Sequence, residues 1–328
     1  MKKAPTWLQR LTGNRVRKTI FQAVVLLLLV DVGFIFLMPI LRLLSMSVMN
    51  VMDLYDPTVV WIPRRWSWEN YVLTYQALDY AKSVKNTVTM AGGAAILQTF
   101  SCALVGYGFA RFNFPWRDKL FGLVLFALIV PPHAIIIQLF ILFSKLPCDL
   151  LGEGALFTMC QDTWLQFSDF LGVSSPSWLD TYLPFLVPEA MGMGLRGALF
   201  VFIFRQFFKG MPWELEDAAR IDGAGPFRVF FNVMLPPAQP AIVVVFLFSF
   251  VWHWNDSLQP AIFMKDQYFL MQQLGQVEAA LSDMRYRAMW GTGAIMTAAL
   301  LVVLPLLLLY VFTQRYFVES IERTGLIG

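Results

Sequence analysis

The sequence predicts an all-α integral membrane protein of about six transmembrane helices, with a cytoplasmic helical elbow between spans four and five. Of the 328 residues, 58% are hydrophobic and only 14% are charged, whereas soluble domains carry roughly 25% charged residues. Six apolar runs are long enough to cross a hydrocarbon core about 30 Å thick. The few charged residues concentrate between the fourth and fifth runs. This balance excludes a solvated globular enzyme.

The six spans are predicted near 20–44, 88–110, 120–143, 183–208, 241–254 and 291–312. All are expected to be helices, because a spanning segment must satisfy its backbone hydrogen bonds internally and these runs lack the alternation of barrel strands. The second run is rich in Gly, Ala, Ser and Thr. Such small residues let helices approach closely, so we expect this span inside the helix bundle.

Basic residues near the span ends predict that both termini are cytoplasmic, because fifteen fall on one side and eight on the other. The first run is about twice as long as the apolar region of a signal peptide and lacks a cleavage site. The predicted organisation is a basic segment (1–19), a first helix (20–44), an extracytoplasmic loop (45–84), a transmembrane domain (85–318) with an extracytoplasmic insert (147–177), and a cytoplasmic tail (319–328).

The insert contains Cys148 and Cys160. An oxidising compartment would favour a disulfide between them, although the spacing alone equally permits two reduced cysteines. The insert is also acidic and too polar to span a membrane. We therefore expect it to contact another extracytoplasmic protein or a second membrane subunit.

The elbow is predicted from the stretch 205–228, in which eight of 24 residues are charged. Pro212 suits the first turn of a helix, and the acidic residues that follow it interact favourably with the helix dipole. Arg220 lies within helix-pair distance of Glu216 and Asp217. Gly223 is expected to end this helix. A second short helix should place Phe227, Phe230, Phe231 and Met234 in one apolar stripe before two prolines stop it.

The elbow resembles the signature of ABC-transporter permeases, which is Glu-Ala-Ala, three residues, Gly, nine residues and Ile-x-Leu-Pro. This chain has Asp217-Ala218-Ala219, then Gly223, then Val233-Met234-Leu235-Pro236 at the same spacing. Asp217 keeps the carboxylate of the Glu that it replaces, and Val233 keeps the branched side chain of Ile.

The resemblance covers roughly 70–146 and 178–328 and is to the carbohydrate-uptake branch, similar to the smaller maltose-type permease. It is carried by "ELEDAARIDGAG" (214–225), "NTV" (86–88), "GYGFARFNFPWR" (106–117), "WLDTYLPFL" (178–186), "WNDSLQPAIF" (254–263) and "QRYFV" (314–318). The insert departs from the family pattern.

The resemblance implies a permease subunit of a sugar importer in a prokaryotic inner membrane, working by alternating access. Its implied partners are a second permease, two ATP-binding subunits and an extracytoplasmic solute-binding protein. The first elbow helix would dock into a cleft of the ATPase, and its carboxylates would either pair with that subunit or cap the helix. The implied coupling residues are Glu214, Glu216, Asp217, Ala218, Ala219, Arg220, Asp222, Gly223, Leu235 and Pro236.

The chain contains no Gly-x-x-x-x-Gly-Lys-Ser/Thr phosphate loop. We therefore expect that it is not an enzyme and binds no cofactor, and that ATP and Mg²⁺ bind to the partner ATPase. Two isolated histidines are too few for a metal site.

Polar and aromatic groups at membrane depth are candidates for the substrate pathway. They are His133, Gln138, Trp252, Trp254, Asn255 and Asp256. Each could instead pair between helices or lie at the membrane interface, and the sister subunit could hold the solute alone.

Two other functional classes fit the sequence less well. A secondary transporter or channel would need an intramembrane ion relay and preferably inverted repeats, and it would leave the elbow unexplained. A membrane enzyme would need a catalytic constellation at a membrane edge, and the sequence offers none. The ABC importer is therefore the leading hypothesis.

Overall fold

The computed structural model describes residues 6–144, 178–265, 268–281 and 284–325. These residues form helices joined by turns, and the only strand-like pairing among them is an isolated bridge between Met49 and Trp66. The all-α prediction is confirmed. The predicted insert, with Cys148 and Cys160, lies outside the described residues.

The described α-helices are α1 (Thr6–Ser47), α2 (Val51–Leu54), α3 (Glu69–Ala77), α4 (Tyr80–Arg111), α5 (Arg117–Ala127), α6 (Ile136–Ser144), α7 (Leu183–Ala190), α8 (Gly197–Gly210), α9 (Glu214–Ile221), α10 (Pro226–Val229), α11 (Gln239–Asn255), α12 (Leu258–Phe263), α13 (Leu270–Ala280) and α14 (Met284–Gly325). Four continuous segments within the described residues are long and apolar enough to cross a membrane. They are Arg17–Ser47, Tyr80–Arg111, Pro236–Asn255 and Gly291–Gln314. These correspond to the predicted first, second, fifth and sixth spans.

The predicted third and fourth spans are each interrupted, which the hydropathy pattern did not indicate. In the third, α5 and α6 are separated by a 3₁₀ turn, Pro132–Ile135. Pro131 and Pro132 lack backbone N–H donors and therefore cannot continue a helix. In the fourth, residues 191–196 separate α7 from α8, and Gly192 and Arg196 adopt positive φ angles of 70° and 58°.

The chain divides into two compact units, of which the first comprises Met1–Thr74 and Leu281–Leu301. Within it, the buried amide of Asn70 donates hydrogen bonds to the carbonyl oxygens of Ser47 and Met49, at 3.1 and 2.9 Å. The apolar side chains of α1 remain largely exposed. A helix of this kind is suited to a lipid environment.

The second unit comprises Tyr75–Ala280 and Val302–Gly328, and α4 lies at its centre. The helices α7, α8 and α11 all pack against α4. Buried alanines and Cys102 line α4, and Phe200, Phe204 and Phe208 of α8 are fully buried beside it. The prediction that the small-residue second span lies inside the bundle is confirmed.

Gly106 sets how closely α4 and α8 approach each other. A Cβ atom at this position would lie 2.6 Å from Cβ of Phe204 and 2.9 Å from the backbone nitrogen of Arg205. Backbone atoms cannot rotate away as the end of a flexible side chain can. The contact therefore requires glycine.

We expect Gly106→Ala to force α4 and α8 apart and to lower the free energy of unfolding by about 1–3 kcal/mol. Denaturant titration of the purified protein in detergent would measure the change. Gly108→Ala is the matched control, because a Cβ atom there meets nothing within 4 Å. Equal stability of the two variants would contradict the packing argument.

Candidate functional site

The predicted elbow is present, and its first helix, α9, carries Glu214, Glu216 and Asp217 in its first turn. The prediction that Pro212 stands in that turn is wrong, because Pro212 precedes the N-cap residue, Trp213. Gly223 follows this helix with a φ of 80°, which only glycine adopts readily. The second part of the elbow is α10, which continues into a π-turn, Phe230–Met234, and a 3₁₀ turn, Pro236–Ala238.

The predicted apolar stripe of the second elbow helix is split. Phe230 and Met234 are buried, whereas Phe227 is 71% and Phe231 is 43% exposed. The N–H of Leu235 donates to the carbonyl of Phe230 at 2.8 Å, five residues earlier. This wider turn changes the direction of successive side chains and so separates residues that a regular helix would align.

A buried ion pair joins the elbow to α4. The guanidinium Nε of Arg111, the last residue of α4, lies 3.2 Å from Oε1 of Glu216 on α9, and both side chains are fully buried. Charges this deeply buried occur almost only when they are paired. The ion pair therefore fixes which face of α9 turns toward the helix bundle.

Arg111 also holds the segment that leads into α9. Its Nη2 donates a hydrogen bond to the carbonyl oxygen of Met211 at 2.6 Å. The guanidinium lies 4.4 Å from the centre of the Trp213 ring, in a cation–π contact. One side chain thus anchors the elbow at three successive points.

Glu216 has a second cationic partner, because Nη2 of Arg220 donates to its Oε2 at 3.2 Å. The predicted pairing of these two residues on one helix is confirmed. Burial raises the pKa of the Glu216 carboxyl, and the charges of Arg111 and Arg220 oppose that shift. Within the chain, this carboxylate therefore contacts two arginines.

The opposite side of α9 faces outward. We call it the elbow surface, and it consists of the exposed residues Glu214, Leu215, Asp217, Ala218, Ile221, Asp222 and Gly223. Ile221 is 85% exposed, which is unusual for a large apolar side chain. Of the other predicted coupling residues, Pro236 and Arg220 are exposed, and Arg220 pairs with Glu216. Ala219 and Leu235 are partly buried against the apolar core.

Among the side chains that the structure describes, the predicted pathway residues do not form one cluster. Trp254 is buried, and its indole N–H donates to the carbonyl oxygen of Val302 at 3.2 Å. Trp252 is half-buried and lies beneath the guanidinium of Arg196, 4.7 Å from the ring centre. The two tryptophans therefore have different surroundings.

The remaining pathway candidates are separate. Asp256 accepts the backbone N–H groups of Leu258 and Gln259 at the start of α12, at 2.9 and 3.2 Å. Asn255 bonds to its own helix, and Gln138 is exposed on α6. His133 belongs to the 3₁₀ turn, but its side chain lies outside the described residues.

From the sequence, Arg111 was only one of the basic residues near span ends that predict the orientation of the chain in the membrane. A basic residue at the end of a span is typical of that role, so its charge alone did not distinguish it. Glu189 and His253, which the structure brings to 2.9 Å, lie 64 residues apart. No local pattern could have paired them.

The comparisons with known proteins agree with the sequence resemblance. Residues 103–323 match the family described as "Binding-protein-dependent transport system inner membrane component". The diacetylchitobiose uptake system permease protein of Streptomyces coelicolor is 30% identical over 80% of this chain and 75% of its own length. The arabinooligosaccharides transport system permease protein of Bacillus subtilis is 25% identical over 81% of each chain.

A solved structure shares the fold. It is the crystal structure of a bacterial ABC transporter involved in the import of the acidic polysaccharide alginate. Its matching chain has a TM-score of 0.66 and 17% identity, and the match covers 92% of this chain and 98% of that one.

We expect Glu216→Ala to lower the free energy of unfolding by about 3–5 kcal/mol, because it leaves Arg111 as an uncompensated buried charge. Arg111→Ala should cost less, because Glu216 keeps Arg220 as a partner. The double variant should cost clearly less than the sum of the two. Denaturant titration of the four proteins gives the coupling energy. Arg220→Ala is the control, with an expected cost of about 0–1 kcal/mol, since its side chain is half exposed. Additive costs would contradict the pairing.

Proposed function

The chain belongs to the family of binding-protein-dependent transport system inner membrane components, and we propose that it is one permease subunit of an ATP-driven sugar importer. It is a multi-pass membrane protein and not an enzyme. Family membership favours the importer over a secondary transporter or channel.

The observation that carries the proposal is the two-sided character of α9. Its inner side is fixed by the buried Arg111–Glu216 ion pair. Its outer side, the elbow surface, combines carboxylates, a small alanine and an exposed isoleucine. A surface that is rigidly supported and partly apolar suits docking into another protein. We assign the docking partner as an ATP-binding subunit.

The geometry of the ion pair favours different roles for the carboxylates of α9. Glu216 contacts Arg111 and Arg220 within the chain. Glu214 and Asp217 are exposed and remain free to meet basic residues on a partner. We therefore assign partner contact to Glu214 and Asp217.

Closure of the ATPase would then move the membrane helices through α9. The ion pair joins α9 to the end of α4, and α4 packs against α7, α8 and α11. A displacement of α9 would therefore act on the centre of the bundle. ATP and Mg²⁺ would bind to the partner, and this chain would supply the mechanical link.

The transported solute is proposed from the relatives. Their names specify diacetylchitobiose and arabinooligosaccharides, so we propose an oligosaccharide or related solute. The proposed assembly contains a second permease, two ATP-binding subunits and an extracytoplasmic solute-binding protein, and both termini of this chain would be cytoplasmic.

The assembly is tested by purifying the tagged chain from membranes and identifying the proteins that accompany it. An ATPase and a second membrane protein are expected in stoichiometric amounts. Uptake into proteoliposomes should require ATP inside, the solute-binding protein outside and one member of an oligosaccharide panel. Uptake driven by an ion gradient without ATP would refute the proposal.

We expect Gly223→Asn to leave the complex assembled but to reduce the ATPase activity stimulated by the binding protein several-fold. Asn adopts positive φ more readily than most non-glycine residues, so the change adds bulk at the elbow surface with less backbone strain than a branched or aromatic residue would cause. Gly210→Asn is the matched control, because it adds the same side chain at an exposed position outside that surface. Full stimulation in Gly223→Asn would contradict the coupling role.

A further inference from the structure

A cluster of buried polar side chains surrounds the interruption between α7 and α8. Oε1 of Glu189, near the end of α7, lies 2.9 Å from Nε2 of His253 on α11. The same oxygen accepts the backbone N–H of Leu195 at 2.7 Å. Glu189 and His253 are each only 2% exposed. The carboxylate therefore joins the interruption to a neighbouring helix.

The Glu189–His253 pair is electrically neutral in either proton arrangement. Nδ1 of His253 faces the carbonyl oxygen of Ser249 at 2.8 Å, and a carbonyl can only accept, so this nitrogen carries a hydrogen. Nε2 then either donates to a carboxylate as an imidazolium or accepts from a carboxylic acid. Both arrangements have zero net charge. This explains how the pair is buried within the bundle.

Helix α4 supplies the other side of the cluster. Nε2 of Gln98 donates to the carbonyl oxygen of Leu195 at 2.8 Å. Oγ of Ser101 donates to the carbonyl oxygen of Glu189 at 2.6 Å. The interruption is thus bonded at both of its ends to α4, and through His253 to α11.

The loop itself is shaped to receive the carboxylate. A Cβ atom at Gly194 would lie 1.8 Å from Cδ of Glu189. Only glycine leaves this space open. The side chain of Glu189 therefore fixes the path of residues 191–196 from inside the loop.

The cluster lies deep within the membrane-spanning part of the chain. At about 1.5 Å per helical residue, Gln98 is roughly 20 Å from Arg111, the α4 residue that contacts the elbow. The same rise places the start of α8 roughly 20 Å from its elbow end and His253 a similar distance from the start of α11. A hydrocarbon core is about 30 Å thick, so a cluster about 20 Å from the elbow ends of these three helices lies within it.

At this depth the interruption presents one exposed cation. Arg196 is exposed and directly precedes α8. Its guanidinium lies 4.7 Å from the ring centre of Trp252, which in turn stacks on Phe200 at 5.3 Å. Among the residues that the structure describes, no carboxylate pairs with Arg196. A cation in such a position is unfavourable against lipid and requires water or a polar partner.

We infer that Arg196 lines the path of the solute across the membrane, donating hydrogen bonds to the oxygens of a hydroxyl-rich solute, and that Glu189 and His253 position it there. The guanidinium presents five N–H donors in a fixed plane, and Trp252 supports that plane from one side. The solute class rests on the proposed function, but the location of Arg196 does not.

The location is tested with Arg196→Cys in a chain whose Cys102, Cys148 and Cys160 are replaced, using a membrane-impermeant cationic methanethiosulfonate reagent. Reconstituted complexes are labelled without nucleotide and after trapping with ATP and vanadate. We expect labelling that differs several-fold between the two states. Gly210→Cys, at an exposed position outside the elbow surface, is the exposed control and Ala103→Cys the buried one. An Arg196→Cys chain that stays unlabelled in both states, while the Gly210→Cys chain is labelled, overturns the inference.

The role of Arg196 in solute recognition is tested by uptake of the oligosaccharide that the panel identifies. Loss of a hydrogen bond to a charged donor corresponds to a fall of about tenfold in the uptake rate of Arg196→Gln, measured with saturating solute-loaded binding protein. Arg196→Lys, which keeps the charge but not the planar fork, should fall between that variant and the unchanged protein. An unchanged uptake rate in Arg196→Gln refutes the solute contact.

The positioning role is tested by adding Glu189→Gln or His253→Gln to the Arg196→Cys chain. We expect each to change the labelling rate of the introduced thiol several-fold. The matched control is Thr99→Val, which removes a buried hydroxyl from α4 that bonds only within its own helix. Reduced thermal stability with unchanged labelling would assign Glu189 and His253 to the scaffold alone. Failure of the proposed function would instead appear as solute uptake that does not depend on ATP, while the introduced thiol is still labelled.

Discussion

The buried ion pair between Arg111 and Glu216 is the contact on which the proposed coupling mechanism depends. Separating it would leave the buried Arg111 without a counter-charge, at a cost of several kcal/mol, and Glu216 with only the half-exposed Arg220. Movement of the elbow relative to α4 is therefore resisted at this point. Because the contact joins the last residue of α4 to the first turn of α9, a force on the elbow surface reaches the bundle along one helix.

Helix α4 connects the two sites. Its final residue, Arg111, holds the elbow, and Gln98 and Ser101 bond to the interruption in the fourth span. Between them lies Gly106, where the backbone of α8 approaches too closely for any side chain. A continuous helix with small residues on its packed face transmits displacement with little internal deformation. The interruption would thus respond to the elbow through about 20 Å of helix.

The sequence predicted those features that depend on local pattern. The apolar runs predicted the spans. Gly223 and the acidic residues of the first turn predicted the elbow. Hydropathy did not show that the third and fourth spans are interrupted, because two short apolar helices and one long apolar helix have the same mean hydropathy. Hydropathy also could not show that Glu216 is buried and Glu214 exposed. The burial of a carboxylate depends on which residues from elsewhere in the chain pack against it. Arg111 and Glu216 are 105 positions apart, so only the tertiary fold pairs them.

Stability alone does not account for these buried polar groups. Well-packed apolar side chains of similar volume often replace a buried ion pair at no loss of stability. What an apolar contact lacks is direction, because dispersion forces tolerate sliding and rotation whereas an ion pair requires defined atoms to face each other. In the proposed mechanism movement passes from α9 to α4, and such transmission needs a defined contact. The Glu189–His253 pair is neutral overall and equally directional, and it supplies the same constraint at the interruption, where a chain without helical hydrogen bonds would otherwise be free to shift.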